Sequence, residues 1–490
     1  MLNIIQISDL HRSTIAPVSN DFLLDSLLSD IEKHPTQSPK IPPCDVVVVT
    51  GDLVAGAKID DANADDTLKK QYAQAKDFLL QLSKELLDGD LRRLFIVPGN
   101  HDVSWQACRK SMEKVDILRS SEVWGMLATA NSQYRWSWND LSLYHIESRE
   151  EYAKRLANFK EFFDDFYKGM GITFSLEDRG QALNFVVPNG RALFTGFCSL
   201  YENDCYKLRG QISIDGLSTN DLNLRGSAMN DIPLKIAFWH HGIEEIGYHD
   251  DHLNTAEVLP HLIDRGYALG LHGHHHKSDV ISYAYSLNPQ LVMPIVGCGS
   301  LCAGPYDIPP GYRRQYNVIE VNDKLAKVRV HVREWFQDTI WVAARVQEFG
   351  GNSYDDFHLP ILQAINQGLR GKTSTVINQS VQLAEVAARN KDYSKVLTIL
   401  TDAPRDIPLV RKLLLESLQM LGRWKELITL IGKPTNSEEL ALTIGAMLEI
   451  KKFSKAEQIL DRCSSEPERY DRVLIRELRK RLAAGREVSI

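Results

Sequence analysis

The chain contains no apolar stretch approaching the roughly 18 residues that a membrane-crossing helix needs. Its first apolar run begins beside Met1 and reads as a strand, so a signal peptide is not expected. Cysteine is sparse, with seven residues at 44, 108, 198, 205, 298, 302 and 463. An odd, scattered set argues against a disulfide framework. The closest pair, Cys298 and Cys302, has no second pair with which to build a thiolate zinc site. The expectation is reduced, mostly buried thiols in a cytoplasmic protein with no membrane association. Positive charge is not in excess either, since the formal net charge is −7. A protein that coats a duplex carries a basic patch or stripe, which this balance disfavours. A nuclease stays open, because metal ions in a site can themselves hold phosphate. With 490 residues, the chain is too long for one ordinary core, so two or three domains are expected.

Five short polar motifs stand out. They are Asp9-Leu10-His11, Gly51-Asp52, Gly99-Asn100-His101-Asp102, His240-His241 and Gly273-His274-His275-His276. Each offers oxygen or imidazole nitrogen to a hard or borderline metal ion, and none offers a thiol. Together they supply ligands for two ions, with a carboxylate left to bridge them, an arrangement suited to hydrolysing phosphate esters with a metal-activated hydroxide.

Each motif follows or closes an apolar run: Ile4-Ile5-Gln6-Ile7, Val46-Val47-Val48-Val49, Leu94-Phe95-Ile96-Val97, Ile236-Ala237-Phe238-Trp239 and Ala268-Leu269-Gly270-Leu271. Such runs read as strands buried on both faces. The ligands then gather at carboxyl ends of central strands, where open α/β sheets place their sites. Residues 1–345 hold all five motifs. The segment from about 103 to 190 interrupts the strand pattern. Its apolar residues recur three and four apart in Tyr152-Ala153-Lys154-Arg155-Leu156-Ala157-Asn158-Phe159-Lys160-Glu161-Phe162-Phe163, which predicts an inserted helical cap beside the site. A final strand pair is expected near 316–321 and 326–332.

From 355 to 490 the sequence is expected to be helical. An aromatic residue recurs at 393, 424 and 453 within similar segments. This spacing resembles tetratricopeptide-type (TPR) helix pairs in a loose register, with a plain helical bundle as the other reading. No chemistry is expected there.

The five motifs in this order resemble those of the calcineurin-like metallophosphoesterase superfamily, whose pattern is Asp-x-His, Gly-Asp, Gly-Asn-His-Asp/Glu, His and Gly-His-x-His. The resemblance covers roughly the first 340 residues and implies an α/β fold, an αββα sandwich. It implies Asp9, His11 and His276 on a first divalent metal, Asn100, His240 and His274 on a second, and Asp52 bridging both. Manganese, iron, zinc and cobalt all suit such donors, with manganese the first expectation. His101 matches the residue beside the scissile phosphate, as transition-state stabiliser or proton donor. Asp102 is expected to orient His101 through a hydrogen bond.

Nine of the fifteen histidines lie between 240 and 276. His241, His272 and His275 are read as neighbours of the ligands, and His249, His252 and His261 as solvated or capping residues. Gly242 stands where the family often has proline, which points to a different local loop. Arg12 is read either as a clamp on a phosphate oxygen or as a surface arginine. Arg313 and Arg314 are read as a solvated pair, with substrate contact as the other reading.

Phosphoprotein phosphatases of the superfamily carry Gly-Asp-x-Val-Asp-Arg-Gly and end the third motif in Glu. This chain has Gly51-Asp52-Leu53-Val54-Ala55-Gly56 and ends that motif in Asp102. The wording looks more like the phosphodiesterase and nuclease branches. The expected activity is hydrolysis of a nucleotide or nucleic-acid diester, with a phosphomonoesterase as the alternative. A second class of reading makes the chain an effector whose helical domain docks a protein partner or drives self-association. A third, a binding module with a dead site, is disfavoured by the full set of ligands.

Overall fold

Four consecutive valines at Val46–Val49 and the run Leu2–Ile7 are buried at every position. A strand covered on both faces has no polar side, so it reads as a continuous apolar run. In the computed structural model these runs become β1 (Leu2–Ile7) and β2 (Val46–Val49), followed by β3 (Leu94–Ile96), β4 (Met112–Val115), β5 (Tyr134–Ser137), β6 (Ser142–Ile146), β7 (Ala182–Val186) and β8 (Ala192–Phe197). The chain continues through β9 (Leu234–Phe238), β10 (Tyr267–His272), β11 (Asp279–Ala284), β12 (Val292–Gly297), β13 (Gln315–Asn322), β14 (Lys327–Phe336), β15 (Ile340–Ala343) and β16 (Tyr354–His358). The structure describes residues 1–13, 18–115, 127, 132–243, 251–284, 290–304, 306–337, 339–367, 383–384, 387–388, 391–401, 403, 405, 408–464, 470 and 472–487.

Two mixed sheets form the centre of the first unit. One has the order β15-β14-β13-β1-β2-β3 with β16 also on β14, and the other has the order β11-β12-β10-β9-β8-β7. Strands β1, β2 and β3 are parallel, as are β8, β9, β10 and β12, while β13, β7 and β11 join antiparallel. Helices cover the outer faces, giving an αββα sandwich. The helix Ala64–Leu86 shows why. It buries Leu68, Tyr72, Ala75, Phe78, Leu79 and Leu82, three and four apart, and leaves its charged residues outside.

The sheets are keyed together by buried amides as well as by apolar packing. Gln6 Nε2 donates to the His272 carbonyl at 2.9 Å, and Asn317 Nδ2 donates to Gln6 Oε1 at 3.1 Å and to the Gly297 carbonyl at 2.9 Å. Ser278 Oγ completes the set by donating to Asn317 Oδ1 at 2.8 Å. Satisfied polar groups in a dry interior fix register, because any slip strands a donor. Here they align β1 and β13 with β10 and β12, and so set β1 and β10, whose ends carry two of the motifs, against each other.

The inserted segment differs from the all-helical cap read from its periodicity. The helix Ala157–Phe166 is present and buries Phe159, Phe162, Phe163 and Phe166. Beside it stands a three-stranded antiparallel sheet, β4-β6-β5. Its strands alternate only partly and carry Arg135 inward. That guanidinium is buried because Asp204 lies 2.6 Å from its Nε, with the Tyr152 hydroxyl on the same carboxylate at 2.7 Å. Phe162 stacks on Tyr72 at 5.1 Å between ring centroids, which ties the insertion to the helix behind the site.

The chain divides into two compact units, Met1–Tyr285 with Pro289–Leu369, and Arg370–Ile490 with Ser286–Asn288. The first unit therefore runs past the expected boundary between 345 and 355. β16 pairs with β14 from Lys327↔His358 to His331↔Tyr354, and the helix Pro360–Asn366 buries Ile361, Leu362 and Ala364. In the second unit the helices Tyr393–Ile399, Pro408–Met420, Trp424–Ile431, Ser437–Glu449, Phe453–Ser464 and Arg472–Glu487 each pack on the next. The aromatic residues at 393, 424 and 453 each open a helix. Among the described residues, no helix is long and apolar enough to cross a membrane. All seven cysteines are free thiols, five of them buried.

A buried ion pair joins the helix Asn20–Ile31 to β14. Arg333 grips Asp30 through Nε to Oδ2 at 2.8 Å and through a terminal nitrogen to Oδ1 at 2.5 Å, and the Tyr316 hydroxyl donates to Oδ2 at 2.5 Å. Burial by itself would raise the Asp30 carboxyl, but His34 and Arg333 hold it well below the usual range. Asp30→Asn leaves Arg333 buried without its counter-charge. We expect a loss of about 3–5 kcal/mol in denaturant unfolding of the intact chain. A carboxyl depressed by folding contributes stability that is present above its unfolded pKa of about 3.9 and lost as pH falls below it. The wild type should therefore lose more stability than Asp30→Asn on acidification from about pH 4. Parallel acid profiles would contradict this assignment.

Candidate metal centre

The five motifs lie at the carboxyl ends of β1, β2, β3, β9 and β10, where the backbone leaves the sheets. The first two motif loops continue side by side beyond their strands. Asp9 N donates to the Gly51 carbonyl at 3.0 Å and His11 N to the Asp52 carbonyl at 3.1 Å. Gly273 N donates to the His240 carbonyl at 3.0 Å, which joins the fourth and fifth motifs in the same way. Asp9, His11, Asp52, His274 and His276 all have left-handed backbone, with φ of 53°, 43°, 53°, 74° and 54°. Non-glycine residues rarely hold that conformation, and it clusters where surroundings enforce it for function. The third motif passes close behind the second, since a Cβ on Gly99 would lie 2.2 Å from Asp52 Oδ1.

The structure brings all seven predicted ligands together in two groups that meet at Asp52. In the first, His276 Nε2 lies 3.2 Å from Asp9 Oδ1 and 3.3 Å from His11 Nε2. In the second, His240 Nε2 lies 2.9 Å from Asn100 Oδ1, 3.2 Å from His274 Nδ1 and 3.3 Å from Asp52 Oδ2. Asp52 Oδ2 also lies 3.8 Å from His11 Nε2, so this carboxylate faces both groups.

The donor set fits cations. His240 Nδ1 donates to the Thr50 carbonyl at 2.7 Å and His276 Nδ1 to the Asp307 carbonyl at 2.5 Å, so each turns its Nε2 inward. Asp9 and Asp52 are buried, and Asp9 Oδ1 has no hydrogen-bond partner. A buried, orphaned carboxylate oxygen is costly unless a positive charge meets it. Burial works to raise both carboxyls, yet His276 on Asp9 and His240 on Asp52 hold them below the usual range. Burial would likewise lower His240, but Asp52 raises it to about 9. Burial and the neighbouring His101 push His11 down to about 3, which keeps it a neutral donor. These residues would hold one divalent ion in each group.

His101 lies beside the first group, its ring 4.6 Å from that of His11. Its Nδ1 donates to the Ala55 carbonyl at 2.9 Å, and its backbone N–H donates to Asp52 Oδ1 at 2.8 Å. The expected hydrogen bond from Asp102 to His101 is not made. Asp102 instead accepts from Gly99 N at 2.8 Å, Leu53 N at 3.3 Å and the Tyr72 hydroxyl at 2.9 Å. It ties the second motif to the third, and the carbonyl of Ala55 takes over the orienting of His101. Burial, then the charge of Asp52, pushes the Asp102 carboxyl up to about 7. Arg12 is not a surface residue. It is buried, with its guanidinium on Cys302 Sγ at 3.3 Å and the Val18 carbonyl at 2.8 Å. Arg313 is exposed and pairs with Glu334 at 3.1 Å, whereas Arg314 is buried against the Ala303 carbonyl.

The other histidines separate by burial. His241 is buried behind the second group, between Ser199 Oγ at 2.8 Å and Asn203 Nδ2 at 3.3 Å. His272 is buried at the end of β10, His261 pairs with Asp221 at 3.1 Å, and His249 lies outside the described residues. His275 explains Gly242: a Cβ there would stand 2.0 Å from the His275 ring. Sequence reasoning did not find Tyr72, Ser199 or the Asp307 carbonyl. A backbone carbonyl carries no residue signature, and a tyrosine on a helix reads as core.

The family model described as calcineurin-like phosphoesterase matches residues 2–278, more than half of the chain. A search of curated protein sequences finds no match. Solved structures similar to the chain include purple acid phosphatase PPD1 from yellow lupin (Lupinus luteus) seeds, at 10% identity over 74% of this chain and 55% of that one, with a TM-score of 0.40. The 5'-nucleotidase from Candida albicans SC5314 aligns at 11% identity over 66% of this chain and 47% of that one, with a TM-score of 0.33. Vps29 of Chaetomium thermophilum aligns at 11% identity over 74% and 96%, with a TM-score of 0.23. The match thus spans about half the length of the first two.

Gly242→Ala forces its methyl into the His275 ring, and overpacking of this kind costs about 1–3 kcal/mol. We expect Gly242→Ala to lower the unfolding midpoint, and the same change made in a His275→Ala background to cost much less. Equal costs in both backgrounds, measured by denaturant unfolding, would exclude the contact as the reason for glycine.

Proposed function

Because this chain belongs to the calcineurin-like phosphoesterase family, we propose that it is a two-metal phosphodiesterase acting on nucleotide or nucleic-acid diesters. The observation that supports this best is the convergence of Asp9, His11, Asp52, Asn100, His240, His274 and His276 around two buried carboxylates. Asp9, His11 and His276 would hold one divalent ion, Asn100, His240 and His274 the other, and Asp52 both. When bound, such ions, with manganese the first candidate, acidify water and draw charge from the phosphoryl oxygens. The protein supplies position and protons. Asp52 keeps its geometry because the His101 N–H holds Oδ1 while Oδ2 faces the histidines. His101, whose Nδ1–H donates to Ala55, presents Nε2 to the leaving oxygen; as an imidazolium it carries a second proton on Nε2, delivers that proton to the leaving oxygen and is left neutral. Asp102 serves as a positioning residue for the loop rather than as a proton carrier. The preference for diesters rests on motif wording, the absence of the phosphatase stretch after Asp52 and the aspartate at 102. The helices of the second unit, three of which open on an aromatic residue at 393, 424 and 453, are read as a TPR-like scaffold for a protein partner or a second copy.

Manganese-supplemented protein should cleave bis(p-nitrophenyl) phosphate faster than p-nitrophenyl phosphate. Chelation should abolish the reaction and added divalent metal restore it. Asp52→Asn should remove activity, and His101→Ala should lower kcat about 10²–10⁴-fold with metal content unchanged. Faster cleavage of the monoester would favour a phosphomonoesterase, and no cleavage of any diester by metal-loaded protein would sink the proposal.

A further inference from the structure

Four imidazoles of the site have an outer nitrogen whose partner is visible. Those of His101, His240 and His276 donate to the backbone carbonyls of Ala55, Thr50 and Asp307. His274 differs. Its Nδ1 turns toward Asn100 Oδ1 at 2.9 Å and His240 Nε2 at 3.2 Å, and its Nε2 faces the carboxylate of Asp251, with Oδ2 at 3.6 Å. A carbonyl fixes a tautomer, whereas a carboxylate also adds a full negative charge and makes the far nitrogen a stronger donor.

The backbone around Asp251 is tied to the same frame as the ligands. Leu253 N donates to the Gly242 carbonyl at 2.7 Å, two residues from His240, and Asn254 N donates to the Gly210 carbonyl at 2.8 Å. Gly210 N returns a bond to the His252 carbonyl at 3.0 Å. The side chains of His274 and Asp251 are 11% and 29% exposed, so their attraction is screened less than a surface pair's. The two donor groups are otherwise unequal. The first owns the carboxylate of Asp9, while the second has only an amide oxygen and two imidazoles beside the shared Asp52. Asp251 gives the second group a carboxylate of its own at one remove.

We propose that Asp251 is a positioning residue for His274, holding the proton on Nε2 so that the Nδ1 lone pair strengthens the Asn100–His240–His274 metal position. This rests on the two-metal reading. The test is calorimetric titration of Mn²⁺ into metal-stripped full-length protein. Wild type should take up two ions. Asp251→Asn should weaken one of the two affinities about 10–100-fold and leave the other unchanged, with Asp251→Glu recovering part of the loss. In a His274→Ala background, Asp251→Asn should have no further effect, which a general structural role would not produce. Unchanged affinities in Asp251→Asn, or equal weakening with and without His274, would overturn the role of Asp251. Uptake of fewer than two ions by wild type would overturn the two-metal reading itself, and this proposal with it.

Discussion

Two carboxylates, Asp9 and Asp52, are held without solvent exposure at the ends of neighbouring parallel strands, and much of the first unit follows from the need to meet their charge. Burial favours the neutral acid, so ionised groups survive here only if cations or proton donors surround them. The fold supplies these from other strand ends, bringing His240 after β9 and His274 and His276 after β10 from the second sheet to face the first. Neither sheet alone holds a complete site. The amides of Gln6 and Asn317, which register one sheet on the other, are therefore as much a part of the centre as its donors.

The local cost of this arrangement is visible in the backbone. Five of the seven converging residues hold left-handed φ, and Gly99 passes so close to Asp52 that no side chain fits between them. Such geometry persists only where hydrogen bonds on both sides over-determine it. Here the motif loops bond to one another beyond the strands, and Asp102 fastens two of them to Tyr72. Phe162 of the insertion stacks on Tyr72, so the inserted segment braces the same loop from behind.

The site was more legible in the sequence than its supports were. A donor residue next to a glycine at the end of a four- to six-residue apolar run is a local signal, and all seven predicted ligands converge. Asp102 was read by analogy with other histidine–carboxylate pairs. Its actual partners include Tyr72, on a helix that comes earlier in the chain, and no spacing rule reports that contact. The three-stranded sheet of the insertion was hidden by the strong helical period of residues 152–163. β16, with the sequence Tyr-Asp-Asp-Phe-His, shows no buried position because it lies at a sheet edge, so no apolar run marks it in the sequence. Asp251 was missed for a different reason: a carboxylate in a loop has many possible partners, and only the fold selects His274.

The central claim is that Asp52 lies between two cation positions. Anomalous diffraction from crystals grown with manganese tests it most directly. The account predicts two peaks about 3.5–4 Å apart, one among Asp9, His11 and His276 and one among Asn100, His240 and His274, with Asp52 touching both. A single peak, or a pair of peaks that leaves Asp52 without a metal contact, would contradict it.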